Sequence, residues 1–131
     1  MPISFAKLTV GECYSRSELA DIWGYASLHA IARGVVTPRD DHKIILFVTE
    51  VKKSDRTQYK DRLVGDTLQW EGPTDHFGEG RMINADKHGE QIHLFYRKVF
   101  DQDFTYKGQV RVSSYTGKTD GPSSFLLKIN G

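Results

Sequence analysis

Apolar and polar positions along the chain follow two different periods. From Ser15 to Gly24, Leu19, Ile22 and Trp23 recur at helical spacing, giving one apolar face. Ser15 with Glu18 forms a capping box, in which each side chain bonds a backbone N–H that the first helical turn leaves unpaired. Tyr14 stands where it can staple onto Leu19, and Gly24 where it can end the helix. A second short helix is expected from Ser27 to Arg33, stopped by Gly34. Beyond Pro38 the helical period disappears. Ile44 to Glu50 (IILFVTE) is continuously apolar at its centre, the pattern of a strand buried on both faces. Thr67 to Glu71 and Gln91 to Val99 read as further strands, the former broken by Gly72-Pro73. Residues 51–62 form a polar, basic stretch expected to be a loop or an exposed hairpin, and His76 to Ala85 holds a helical turn or two. Phe104 to Tyr106, Gln109 to Tyr115 and Ser124 to Ile129 complete the strands, with Gly108, Gly117 and Gly121-Pro122 expected as turns.

Helices first and strands afterwards predict an α+β fold: a curved, mostly antiparallel sheet or barrel with N-terminal helices. The strict strand–helix alternation of a Rossmann fold is absent. At 131 residues, 38% hydrophobic and 11% aromatic, the sequence has the size and apolar content of a single domain, residues 1–131, with one core. The formal net charge of +1 excludes a histone-like polycation and leaves room for a local basic face. Cys13 is the only cysteine, so neither an internal disulfide nor a cysteine-based zinc cluster can form, and a buried, inert thiol is expected. The N-terminal MPISFAKLTV lacks the pattern of a secretion signal, and the apolar run Ile44 to Val48 is too short for a bilayer, which predicts a cytoplasmic protein without membrane contact.

Motifs for catalysis are sparse. The chain holds no GxGxxG, Walker A, HExxH or GxSxG pattern. His29, His42, His76, His88 and His93 make no metal-ligand pair at helical spacing and are expected on the surface or as satisfied core residues. No metal and no cofactor is implied. One enzymatic pattern stands as an alternative: Asp41 with Glu50 and Lys52 at a strand end resembles a PD-(D/E)xK nuclease core, in which two carboxylates hold Mg²⁺ and a lysine orients the attacking water. The plainer reading is a strand end with solvated charges. The chain is therefore expected to bind rather than to catalyse.

Binding chemistry is richer. Lys52, Lys53 and Arg56 cluster after the apolar strand, and with Arg33 and Arg81 they are candidate phosphate contacts; a solvated loop is the competing explanation. Trp70 and Tyr59 stand out among the aromatics because carboxylates lie beside them in sequence: Asp61 near Tyr59, and Glu71 and Asp75 near Trp70. An aromatic wall can stack an extruded base, and a carboxylate can accept from the exocyclic amine of cytosine or adenine. Turn and cap carboxylates are the plainer account of Glu71 and Asp75.

The ordered segments YSRSELADIWGY, ARGVVTP, IILFVTE, QYKDRL, LQWEGPTDHF, IHLFYRK and FTYKGQV resemble a domain of bacterial restriction and defence proteins. That domain stands at the C-terminus of helicase-type, modification-dependent restriction enzymes and is fused to HNH nucleases. The resemblance runs from about Gly11 to Ile129. It implies kinship with the SET-and-RING-associated (SRA) and PUA-like group, whose curved barrels bind double-stranded DNA and flip a modified cytosine, such as 5-methylcytosine, into an aromatic-lined pocket. It further implies that cleavage comes from a nuclease or helicase domain or partner, because this chain carries no HNH, helicase or HxK motif of its own.

Overall fold

The computed structural model describes residues 5–38, 42–51, 62–72, 78–99, 101–117 and 123–129. Strand β1 (Cys13–Tyr14) leads into helix α1 (Arg16–Ile22), and a 3-10 turn (Leu28–Ile31) precedes β2 (Val35–Val36). Strands β3 (Lys43–Val51), β4 (Arg62–Val64) and β5 (Thr67–Glu71) follow, then the short helices α2 (Glu79–Ile83) and α3 (Ala85–His88). Strands β6 (Gln91–Val99), β7 (Phe104–Thr116) and β8 (Ser124–Ile129) end the order.

The strands make one sheet in the order β2-β3-β6-β7-β8-β5-β4, with β1 added beside β7. Every pairing is antiparallel except β3 with β6, which run parallel from Lys43 opposite Gln91 to Val51 opposite Val99. The expected α+β architecture, with a mostly antiparallel sheet and helices at its N-terminal side, is the one observed.

The parallel pair explains the unbroken apolar run. Ile44, Leu46 and Val48 of β3 join Ile92 and Leu94 of β6 in one core, which β5, β8, Met82 and Ala85 complete. The residues between them, Ile45, Phe47 and Phe95, enter a second core with Leu19, Ala20, Trp23 and Ile31 from the N-terminal helices. A central strand covered on both faces needs apolar side chains at odd and even positions alike. Each fully buried Ile, Leu or Val contributes about 1.5–3 kcal/mol, so this pair anchors the molecule.

Local signals are realised in detail at the N-terminus. The Ser15 Oγ accepts from the Glu18 N–H at 3.1 Å, and the Glu18 carboxylate accepts from the Ser15 N–H at 3.1 Å. Tyr14 packs against the second core, of which Leu19 is a member, and Gly24 takes φ 78° just past the helix. Three expectations change. Gly108 is no turn: β7 runs through it, and Lys107 is the extra residue of a bulge, since Leu94 faces Gly108 while Phe95 faces Tyr106. The positive φ of 86° at Gly108 suits the kink. Cys13 is exposed rather than buried, because β1 lies off the main strand order; its Sγ lies 3.5 Å from the Thr105 Oγ1. The short helix expected from Ser27 to Arg33 is present as the 3-10 turn Leu28–Ile31 with Ser27 as its cap, whereas β1, β2, β4 and α3 are additional elements too short for a periodicity to register. Among the described residues, no helix is long and apolar enough to cross a membrane.

Candidate functional site

Three aromatic residues form a row across neighbouring strands. In the register, Trp70 of β5 faces Phe125 of β8, and Phe125 faces Tyr115 of β7. The ring centroids of Trp70 and Phe125 lie 5.2 Å apart, and those of Phe125 and Tyr115 4.9 Å apart, both pairs tilted near 50°. Cross-strand aromatic pairs at this spacing stabilise a sheet beyond the area they bury. Exposure rises steeply at one end of the row, from 6% at Trp70 and 2% at Phe125 to 40% at Tyr115. There the Tyr115 hydroxyl donates to the carboxylate of Glu79, at 3.2 Å, and Glu79 itself is only 6% exposed at the start of α2.

Adjacent residues of a strand project to opposite faces. Trp70 therefore points into the first core, while Gln69 and Glu71 project from the other side of β5. Glu71 faces Ser124, and Ser124 faces Thr116, so the next row is polar. With Gln69 and Ser114 these residues border an open groove of about 430 Å³. Trp70 and Glu71, placed side by side by sequence reasoning, thus leave the strand on opposite sides and border one groove. Trp70 is a core residue, yet it and Phe125 also line the groove that Glu71 borders. The carboxylate beside the aromatic row is Glu79, and the exposed ring is Tyr115. Neither was singled out from the sequence. Alternation from Val110 and Val112 points to Ser114 rather than Tyr115, which a register shift between Val112 and Ser114 brings opposite Phe125; nothing local marks Glu79, which reaches Tyr115 across a separation of 36 residues.

Of the other expected pocket residues, Tyr59, Asp61 and Asp75 lie outside the described residues, as do the phosphate candidates Lys52, Lys53 and Arg56. The described chain resumes at Arg62, which faces Gln69, one position from Trp70. Arg33 is exposed, just after the 3-10 turn, and borders a separate cavity of about 290 Å³ with Tyr25. Arg81 is tied to Glu90, its Nε donating to both carboxylate oxygens at 3.2 and 3.0 Å, which reduces the positive potential it can offer a phosphate.

Glu50, the described member of the nuclease-like pattern, is held by the protein itself. One carboxylate oxygen accepts from the Leu63 N–H at 3.2 Å, and the other pairs with the Lys98 ammonium. Burial works to raise its pKa, but Lys98, the Leu63 N–H and the Tyr96 hydroxyl together hold it below the usual carboxylate range. Burial, followed by the charge of Glu50, pushes the Tyr96 phenol up to about 12. This cluster fastens the start of β4 to the end of β3; Asp41 and Lys52 lie outside the described residues. His93 is the satisfied core histidine expected, with Nδ1 2.7 Å from the Tyr106 hydroxyl and Nε2 3.0 Å from the Gln91 side chain. Among the described residues, no group of three or more His, Cys, Asp and Glu side chains converges as a metal site would require.

Comparison with solved structures finds the same fold in SRA domains. The chain superposes on SUVH5 SRA bound to fully hydroxymethylated CG DNA with a TM-score of 0.65 at 16% identity, covering 99% of this chain and 94% of that one. SUVH5 SRA complexes with fully methylated CG DNA and with methylated CHH DNA match at TM-scores of 0.64 and 0.63, again at 16% identity with the same coverage. No curated protein matches the chain. Residues 8–124 match a family described as Domain of unknown function (DUF3427).

Proposed function

Because the chain belongs to the DUF3427 family and carries an SRA-like fold, we propose that it is a reader of modified DNA, binding double-stranded DNA and drawing a modified base, cytosine first among the candidates, out of the helix. The observation that carries this reading is the aromatic row that ends in an exposed ring beside a carboxylate. A base extruded toward that end stacks on Tyr115. Glu79 accepts from the exocyclic amine, and Phe125 and Trp70 hold the ring in place from behind. Tyr59, Asp61 and Asp75 belong to the segments entering β4 and leaving β5; they are assigned the opposite wall and further edge contacts. Glu71 is assigned a polar contact from its groove. Arg33, Lys52, Lys53 and Arg56 contact the phosphates, and Arg81 contributes less.

The energetics support such a division. Extrusion costs a few kcal/mol, stacking returns about 1–3 kcal/mol per base, and phosphate contacts supply the remainder. A methyl group adds only about 0.8 kcal/mol by burial, so discrimination between cytosine and 5-methylcytosine is expected to be partial. The solved structures of this fold carry methylated and hydroxymethylated DNA, which supports a modified base as the ligand. The sequence resemblance to restriction and defence domains supports a cytoplasmic role as one DNA-binding domain beside a nuclease or helicase that performs the cutting. A gel-shift series with matched unmodified, methylated and hydroxymethylated duplexes tests the reading. Preference for a modified duplex is expected, and equal affinity for all would overturn it.

A further inference from the structure

Two guanidinium groups meet on one phenylalanine, apart from the aromatic row. The Arg16 guanidinium carbon lies 4.6 Å from the Phe47 ring centroid and 5.0 Å from that of Phe104. The Arg97 guanidinium carbon lies 4.2 Å from the same Phe104 centroid. Phe104 is 2% exposed, so it is a fixed mount for both. Arg16 donates from Nε to the Ile31 carbonyl at 3.1 Å and from Nη2 to the Arg33 carbonyl at 3.4 Å. Arg97 donates from Nε to the Thr49 hydroxyl at 2.8 Å and from Nη1 to the Gln102 carbonyl at 3.1 Å.

All four acceptors are neutral. Among the described residues no carboxylate forms an ion pair with either arginine; Asp101 and Asp103 favour the charged form of Arg97 from farther away. Burial, and after it the charge of Arg97, pulls the Arg16 pKa down to about 10. Two half-buried cations are thus fixed near one another without an anion paired to them among the described residues, and both border a cavity of about 260 Å³ that Ser15, Ser17 and Asp103 also line. Hydrogen bonds and ring stacking have already ordered both side chains, so little entropy remains to be lost on binding. An anion between them would replace repulsion by two attractions.

We propose that the cavity between Arg16 and Arg97 binds a phosphate-class oxyanion. A tetrahedral oxyanion offers acceptors to both guanidinium forks at once, and the Ser15 and Ser17 hydroxyls can complete its shell. The site stands independently of the modified-base reading, because it rests on different residues and a different ligand chemistry. Its phosphate can come from a nucleic-acid backbone or from a free ion.

Thermal unfolding of the whole chain, in inorganic phosphate and in chloride at matched ionic strength and pH, tests the site. Phosphate is expected to raise the Tm of the wild type saturably above the chloride value, as a ligand of the native state does. Arg97→Gln should lose that phosphate-specific rise, and Arg97→Lys, which keeps the charge without the fork, should retain only part of it. Coincident wild-type curves in the two salts would overturn the proposal, as would an undiminished phosphate response in both variants. Salt dependence of duplex binding then identifies the source. A fall of about 1 in the log–log slope for Arg97→Gln assigns the site to a backbone phosphate, and an unchanged slope alongside the lost Tm rise assigns it to free phosphate.

Discussion

The aromatic row and the arginine pair are both built around a buried phenylalanine, and they differ in what flanks it. Phe125 lies between two neutral rings, with a carboxylate at the exposed end. Phe104 lies between two cations, with no anion paired to them among the described residues. A buried ring is thus a mount, and its neighbours set the chemistry of the surface above it. The first suits a flat, neutral group that donates hydrogen bonds, the second an oxyanion. A nucleic acid presents both kinds of group, bases and phosphates, which makes the contrast testable.

The largest effects should come from removing the mounts. Phe125→Ala and Phe104→Ala should each cost about 3–5 kcal/mol in urea unfolding, since both rings are fully buried. A much smaller cost at Phe104 would mean that the arginines, rather than the ring, organise that corner. Tyr115→Ala should separate stability from recognition. Tyr115 is 40% exposed, so folding should lose less than at the buried rings, whereas affinity for a modified duplex should fall by about 1–3 kcal/mol in a fluorescence-anisotropy titration. Trp70→Phe should do the reverse, weakening the fold while sparing most of the preference, because Trp70 is a core residue behind Phe125. If Trp70→Phe erases the preference at undiminished stability, the base meets Trp70 directly.

Glu50→Gln probes a charge cluster with an ion pair in place, the counterpart of the two arginines that have none among the described residues. Because the folded-state pKa is depressed, the carboxylate contributes stability above its unfolded pKa and loses it as pH falls through the folded value. The variant should be less stable than the wild type by about 1 kcal/mol at neutral pH, and the gap should close under acid conditions below the carboxylate range. A pH-independent gap would assign the loss to packing. The smallest effect is expected from two surface arginines. Arg33→Ala should lower the salt slope of DNA binding by about 1, and Arg81→Ala by less, because Glu90 already holds Arg81.

The parts of the fold that depend on local pattern could be read from the sequence. The capping box at Ser15, the limits of β5 and β6, and the double burial of β3 each follow from residues next to one another. The parallel pairing of β3 with β6 was hidden, because apolar runs do not encode their partners. Gly108 looked like a turn because a bulge glycine and a turn glycine both need positive φ. At the site, Trp70 and Glu71 are neighbours in the chain that project from opposite sides of β5 and still border one groove. Tyr115 with Glu79, and Arg16 with Arg97, are neighbours only after folding.

The central claim, that a modified base leaves the helix for the Tyr115 end of the aromatic row, is tested most directly by a duplex carrying 2-aminopurine next to the modified cytosine. Binding should raise 2-aminopurine fluorescence with the modified duplex, through loss of stacking at the emptied position, and Tyr115→Ala should abolish the rise. Saturated binding of the modified duplex by the wild type with no change in that fluorescence would contradict the account.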